Sequence, residues 1–362
     1  MVSSAPLTSK CRGYAREVAG NRQHFIPRFL LKGFAIPGTN AAPRVWVYRR
    51  EGPPFESSID NVAVEKHFYG KAEESTLDAH ITQLETDFAQ VVAAVRELPS
   101  ATHVAEPAVP RLAAHLFART RQIRLSFESA FQPVLDVVQE WLTTPGVMRE
   151  YLLSRPEVRS RVETELRQRG LPVELTDLAL QQILPAIRPQ VHQMIRENLP
   201  AMLDALNEGR ASITPSIREG HNRSLAENPD AEGLARRFSE WNWWLLRSGE
   251  PLILGDSVCV FQYDDSDAAF RAFPDFSKSM VRIWLPIATH RVLVASPARK
   301  SPKLDQAKLN KACARCSIDH FVGSRQLPEN SALPNRIGEW AGILTAAEQS
   351  QIAGDLLRSL KA

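Results

Sequence analysis

Met280-Val281-Arg282-Ile283-Trp284-Leu285-Pro286, followed after a short break by Arg291-Val292-Leu293-Val294-Ala295, is the stretch that decides the fold. Both runs are rich in β-branched and aromatic residues, and each is too short for a buried helix, so they read as strands. Three more such runs lie upstream: Trp241-Asn242-Trp243-Trp244-Leu245-Leu246, Leu252-Ile253-Leu254 and Ser257-Val258-Cys259-Val260-Phe261. Gly, Pro, Asp and Ser punctuate them, which predicts a small, mostly antiparallel sheet.

The sequence before these runs has a different period. A long helix starts near Ser75, and its apolar positions Leu77, Ile81, Leu84, Phe88, Val91, Val95 and Leu98 alternate steps of four and three, a narrow buried seam. Pro99 and Ser100 mark its stop. A second helix is expected from Pro107 to about Trp141, and residues 157 to about 209 stay helical in pieces cut by prolines at 172, 185, 189 and 200. Nearer the start, Val45-Trp46-Val47-Tyr48 reads as a strand, and Val62, Val64, Phe68 and Tyr69 mark a second extended piece. Helices are again expected at about 303–317 and 346–360.

The expected architecture is α+β, a small mostly antiparallel sheet with a large helical insertion. Residues 1–20 form a flexible arm, 21–74 the N-terminal strand and helix part of the core, and 75–235 the helical block. Residues 236–325 complete the sheet, and 326–362 form a helical tail. At 362 residues the chain is long enough for two joined units. Forty-four basic against 41 acidic residues leave a net charge of +3, too small for a duplex-sized basic face, so any anion binding is local. No apolar run is long enough to cross a membrane, and the first residues lack a charged-then-apolar leader pattern, so a cytoplasmic protein is expected. Four cysteines cannot staple a chain of this size, which agrees with a reducing compartment.

Chemistry is most concentrated in Asn21-Arg22-Gln23-His24-Phe25-Ile26-Pro27 and the apolar helix that Pro27 opens. An imidazole ahead of a helix N-terminus can bind phosphate, ligate a metal or move a proton, or Gln23 and His24 can simply cap the helix and bond a neighbouring strand. On the long helix Asp78 and Glu85 are two turns apart, roughly 10 Å, on one face beside the apolar seam. A carboxylate held there needs a cation or a basic partner. Arg119 interrupts the stripe Leu112, Leu116, Ile123, with His115 one turn before it, so it is either half of a structural ion pair with Glu85 or a clamp for an anionic ligand. Asp256 stands in Gly255-Asp256-Ser257, at a strand end where turn residues are common. Cys313 and Cys316 have a zinc-like spacing with His320 nearby, but a second pair is missing and a helical run keeps two thiols from converging, so zinc is not expected there.

These marks, in this order, resemble the bacterial domain-of-unknown-function family 4238. Gln23-His24-x-x-Pro27 with Leu31 and Phe34 is similar to its opening signature, Phe68-Tyr69 to its aromatic-tyrosine mark, Glu85 to the glutamate of its long helix, and Arg119-Thr120 to its arginine-threonine pair. The run Pro251 to Ser257 is similar to its strand followed by Ser-Asp-Asn-Pro, Leu285-Pro286 to its Pro-Leu strand and Leu309-Asn310 to its late helix. The resemblance covers about residues 21–325. The chain departs from the pattern at Gly255 for serine, at Ser257 and Val258 for Asn-Pro, at Arg121 for proline and at Leu116 for a common glutamine, which implies a modified site.

His24, Glu85, Arg119 and Asp256 are expected to meet where sheet and helices join. The expected function is a metal-dependent phosphodiester hydrolase, nuclease-like, in a bacterial defence or toxin context. In it Glu85 and Asp256 hold Mg²⁺ or Mn²⁺, His24 with Gln23 beside it serves as ligand or general base, and Arg119 stabilises the phosphoryl oxygens. The rival is a non-catalytic module for a nucleotide, a small anion or a protein partner, a second copy included, with Trp241, Trp243 and Trp244 in the contact surface.

Overall fold

The computed structural model of the protein describes residues 22–39, 41–70, 76–144, 177–263, 270–329 and 331–361, with scattered residues between 156 and 170. The expected arm at 1–20, the Ser75 cap and most of the helical stretch from 157 to 176 lie outside them. In chain order come β1 (Arg22–His24), α1 (Arg28–Leu31), β2 (Arg44–Arg49), β3 (Phe55–Ser58), β4 (Val64–Lys66), α2 (Thr76–Glu97), β5 (Thr102–His103), α3 (Ala108–Ala118), α4 (Arg121–Thr143) and α5 (Asp177–Glu227). Then follow α6 (Glu232–Ser239), β6 (Asn242–Arg247), β7 (Leu254–Gly255), β8 (Val260–Gln262), β9 (Phe270–Arg271), β10 (Arg282–Ala288), β11 (Arg291–Ser296), α7 (Gln306–Cys316), β12 (His320–Gly323) and α8 (Ala346–Lys361).

This is the α+β fold the sequence predicts, with its strands divided into three sheets where one was expected. The largest has the order β5-β6-β11-β10-β8-β9, built on the β10–β11 hairpin in which Leu285 faces Leu293. Pro286 lies inside that hairpin and cannot donate to the ladder, and the register shifts between Pro286 and Ala288. The second sheet, β3-β2-β12-β7, pairs the N-terminal strand with the C-terminal one, Tyr48 opposite Phe321, whose rings stack at 4.9 Å. The third is the two-stranded β1–β4 ladder, with Gln23 opposite Glu65. One continuous apolar core runs from Phe25 to Ile337, and Trp141, Leu142 and Ile195 form a separate small cluster between α4 and α5.

Two helix boundaries differ from expectation. The helix expected from Pro107 to Trp141 is two helices, because Thr120 takes an extended backbone (φ −66°, ψ 145°) between α3 and α4. Pro185, Pro189 and Pro200 do not cut the next stretch as expected: α5 runs through them and through Pro215, while Pro172 lies outside the described residues. Pro189, Pro200 and Pro215 face solvent, where a carbonyl that loses its helical donor is not left buried.

The opening signature is fastened to the large sheet by Gly33 and Arg96. The Gly33 carbonyl accepts from Thr289 N–H at 2.8 Å, and a Cβ on Gly33 would press on the Arg96 guanidinium and the Ile287 carbonyl. Arg96, from the end of α2, donates to the carbonyls of Ile287 and Phe29 at 3.0 and 3.1 Å. Here an arginine satisfies the orphan carbonyls of a short helix, and burial lowers its pKa to about 10.

Candidate functional site

The signature residues do not cap a helix: Gln23 and His24 lie in β1, ahead of Pro27. Gln23 is buried. Its Oε1 accepts from Tyr69 N–H at 2.6 Å, and its Nε2 donates to the Gly70 carbonyl at 3.3 Å and to the Asp78 carboxylate. Burial raises the Asp78 carboxyl above its usual value.

Arg119, at the end of α3, is only 1% exposed. Its Nε donates to the Tyr69 hydroxyl at 2.9 Å, one Nη donates to Glu85 Oε1 and stands 3.4 Å from His115 Nε2, and the other donates to the His24 carbonyl. Burial works against its charge, yet Glu85 and Tyr69 hold its pKa above the ordinary arginine value. Burial also sends the neighbouring groups to their neutral forms: Tyr69 rises to about 12, His115 falls to about 3, and His24, beside Arg28 and Arg119, falls to about 4. His24, Glu85, Arg119 and Gln23 are therefore together, in a network whose arginine has spent its donors on the protein.

Asp256 belongs to a second group. It is buried in the turn after β7, and its two oxygens accept from the N–H groups of Ile318, Asp319 and His320 at 2.8, 2.8 and 3.0 Å. Burial raises its pKa, opposed by His320 and those three donors. His320, 6% exposed, directs Nδ1 at two carboxylates, 3.6 Å from Asp256 Oδ2 and 3.5 Å from Asp319 Oδ2, while its buried Nε2 has no partner. Ligand atoms of Asp256, Asp319 and His320 lie within 4.8 Å of one another, and among the described residues this is the one group of three such side chains placed to hold a metal ion. His320, then Arg121 and Arg49, hold the half-exposed Asp319 carboxyl below its usual value. Glu85 is not part of this group.

Four of the five departures named above, Gly255, Ser257, Val258 and Arg121, lie here, and the fifth, Leu116, is buried in the core on α3. A Cβ at Gly255 would meet Ser317 Oγ at 2.5 Å and the Cys313 carbonyl at 2.7 Å, so α7 already fills the space a serine would need. Val258 has φ +61°, which a proline cannot adopt and a β-branched residue rarely does, in a tight turn closed by Cys259 N–H to the Ser257 carbonyl. Arg121, the first residue of α4, links the two groups: Nε is 3.3 Å from Glu65 Oε2 on β4, and Nη1 is 3.6 Å from Asp319 Oδ2.

Asp319 carried no motif signal, and His320 stood out only as a neighbour of the Cys313 and Cys316 pair. The pattern that could have flagged them is Asp-His at the end of a helix, immediately before the apolar pair Phe321-Val322. Cys313 and Cys316 are buried on α7, and burial pushes the Cys313 thiol up to about 12. Trp243 is core, its Nε1 donating to the Phe238 carbonyl, and Trp241 and Trp244 are partly buried against that core. An apolar groove of about 600 Å³ lies elsewhere, between α4, α5 and α6, where Phe127 and Phe131 are exposed. No helix among the described residues is long and apolar enough to cross a membrane.

No curated protein and no solved structure matches the chain. A family model described as "Protein of unknown function (DUF4238)" matches residues 22–331, most of its length, and the chain belongs to that family.

Proposed function

We propose that the chain is a divalent-metal-dependent phosphodiester hydrolase of the nuclease kind, with its cation between Asp256, Asp319 and His320. The observation that supports this reading is the pose of His320: a buried imidazole facing two carboxylate oxygens at 3.5 and 3.6 Å. Ligands about 2.1 Å from one ion stand roughly 3.0–3.5 Å from each other, so these spacings suit a shared cation better than direct hydrogen bonds. The three backbone N–H donors on Asp256 are the outer-shell support that a ligating carboxylate needs.

The donor set also bears on the ion. Two carboxylates suit Mg²⁺ or Mn²⁺, and one imidazole shifts the preference from Mg²⁺ to Mn²⁺. Such an ion supplies a Lewis acid for a phosphoryl oxygen and an acidic bound water. Asp319 is exposed enough for a substrate to reach the site, and Arg121 stands beside it as the accessible arginine for phosphoryl oxygens. The role first expected of Arg119 passes to Arg121, because a guanidinium 1% exposed does not reach a substrate. Gln23, His24, Tyr69, Glu85 and Arg119 act as the brace that fixes the start of α4.

The test is cleavage of single-stranded and duplex DNA and of RNA, with Mn²⁺ or Mg²⁺ titrated in. Wild-type protein should cleave at least one of them, Asp319→Asn and His320→Ala should lose cleavage, and Glu85→Gln should retain it wherever it folds. Absence of wild-type cleavage with either ion, or full activity in Asp319→Asn, overturns the proposal.

A further inference from the structure

We infer that Arg121 is the counter-charge of this cation site: it holds Asp319 while the site carries no cation, and turns to an anionic oxygen of the substrate once a cation is bound. The inference rests on the metal-site reading above and concerns Arg121, which stands where the signature this sequence resembles has proline.

Two features make Arg121 suited to the exchange. Its backbone is fixed: Arg119, two residues earlier, is locked into the buried brace, and α4 begins at Arg121 itself. Its side chain is not. It is 37% exposed and divides its guanidinium between Glu65 and Asp319 at 3.3 and 3.6 Å, exposed ion pairs that exchange readily with solvent and with other ions.

The local charges supply the driving force. Without a metal, the carboxylates of Asp256, Asp319 and Glu65 are faced by the guanidinium groups of Arg121 and Arg49. A dication on Asp319 satisfies that carboxylate and repels the guanidinium a few ångströms away. Arg121 then keeps Glu65 and has free donors for a phosphoryl oxygen, in the fork geometry that suits such groups.

Proline supplies a clean test of this idea. Arg121 is the first helical residue, where a missing N–H costs nothing, and Thr120 before it already has the extended backbone that a following proline requires. Arg121→Pro therefore removes the charge while suiting the fold, and its melting temperature should stay close to wild type.

The experiment titrates Mn²⁺ into wild-type protein, Arg121→Pro and Asp319→Asn by calorimetry at low and high salt. Inorganic phosphate is then titrated into the Mn²⁺-loaded proteins. Arg121→Pro should bind Mn²⁺ more tightly than wild type, on the order of fivefold at low salt, with the gap closing as salt screens the repulsion. It should also bind phosphate more weakly, and Asp319→Asn should bind no Mn²⁺. Equal or weaker Mn²⁺ binding in Arg121→Pro overturns the counter-charge role, as does unchanged phosphate binding. A wild-type protein and an Arg121→Pro variant that both fail to bind Mn²⁺ overturn the metal site itself, and Mn²⁺ binding without cleavage overturns the hydrolase reading alone.

Discussion

Replacing Arg119 with methionine removes the guanidinium and keeps most of the buried stem. Four partners then change: the Glu85 carboxylate loses its cation, the His24 carbonyl and Tyr69 hydroxyl lose a donor, and His115 Nε2 loses a neighbour. The Tyr69 hydroxyl still donates to the His24 carbonyl at 3.2 Å, so the largest loss is the stranded carboxylate of Glu85. Removing one side of a buried pair costs about 3–5 kcal/mol, and because Glu85 keeps a quarter of its side-chain surface in water the lower end applies, about 3 kcal/mol. Glu85→Gln made in the Arg119→Met background removes the stranded charge and should recover about half of that loss, a coupling of roughly 1.5 kcal/mol. Urea unfolding followed by far-UV circular dichroism reads both values from the midpoint at constant slope. A loss below about 1 kcal/mol for Arg119→Met, or strict additivity in the cycle, refutes the structural brace.

Three further outcomes follow from the same contacts. His24 and His221 titrate near 4 and His115 near 3 in the folded chain, against 6.5 unfolded. Because the unfolded chain takes up these protons first, stability should be constant above pH 6.5 and fall as pH drops from 6.5 towards 4; a melting temperature unchanged between pH 7 and 5 contradicts this. Gly33→Ala sets a methyl against the Arg96 guanidinium and the Ile287 carbonyl, and should cost about 1–3 kcal/mol, measured by thermal melting, with no loss of Mn²⁺ affinity. Asp256→Asn turns an amide NH₂ towards backbone donors, so it should lower the melting temperature even without metal, while the exposed Asp319→Asn should leave it within about 2 °C of wild type.

The local elements were legible because their signals are local. The alternating seam from Leu77 to Leu98 gave α2, and the runs around Trp243, Ile283 and Val292 gave β6, β10 and β11. Their division into three sheets was not legible, because pairing Tyr48 with Phe321 or Gln23 with Glu65 depends on contacts that no window of sequence contains. The break between α3 and α4 has neither Gly nor Pro to announce it; it coincides with an arginine held by Tyr69, Glu85 and the His24 carbonyl. Half of the candidate site was likewise readable. A carboxylate and an arginine embedded in two apolar helix faces imply each other, which is how Glu85 and Arg119 come to be paired. The grouping of Asp319 and His320 with Asp256 was hidden because it spans more than sixty residues, through backbone N–H groups that any residue could supply.

The most direct test of the proposed cation site is anomalous diffraction from crystals soaked in Mn²⁺. A single strong peak is expected in contact with carboxylate oxygens of Asp256 and Asp319 and with Nδ1 of His320, with Arg121 turned away from Asp319. A peak on Glu85 or Asp78, or no peak between Asp256, Asp319 and His320 at an Mn²⁺ concentration that saturates the protein in solution, contradicts it.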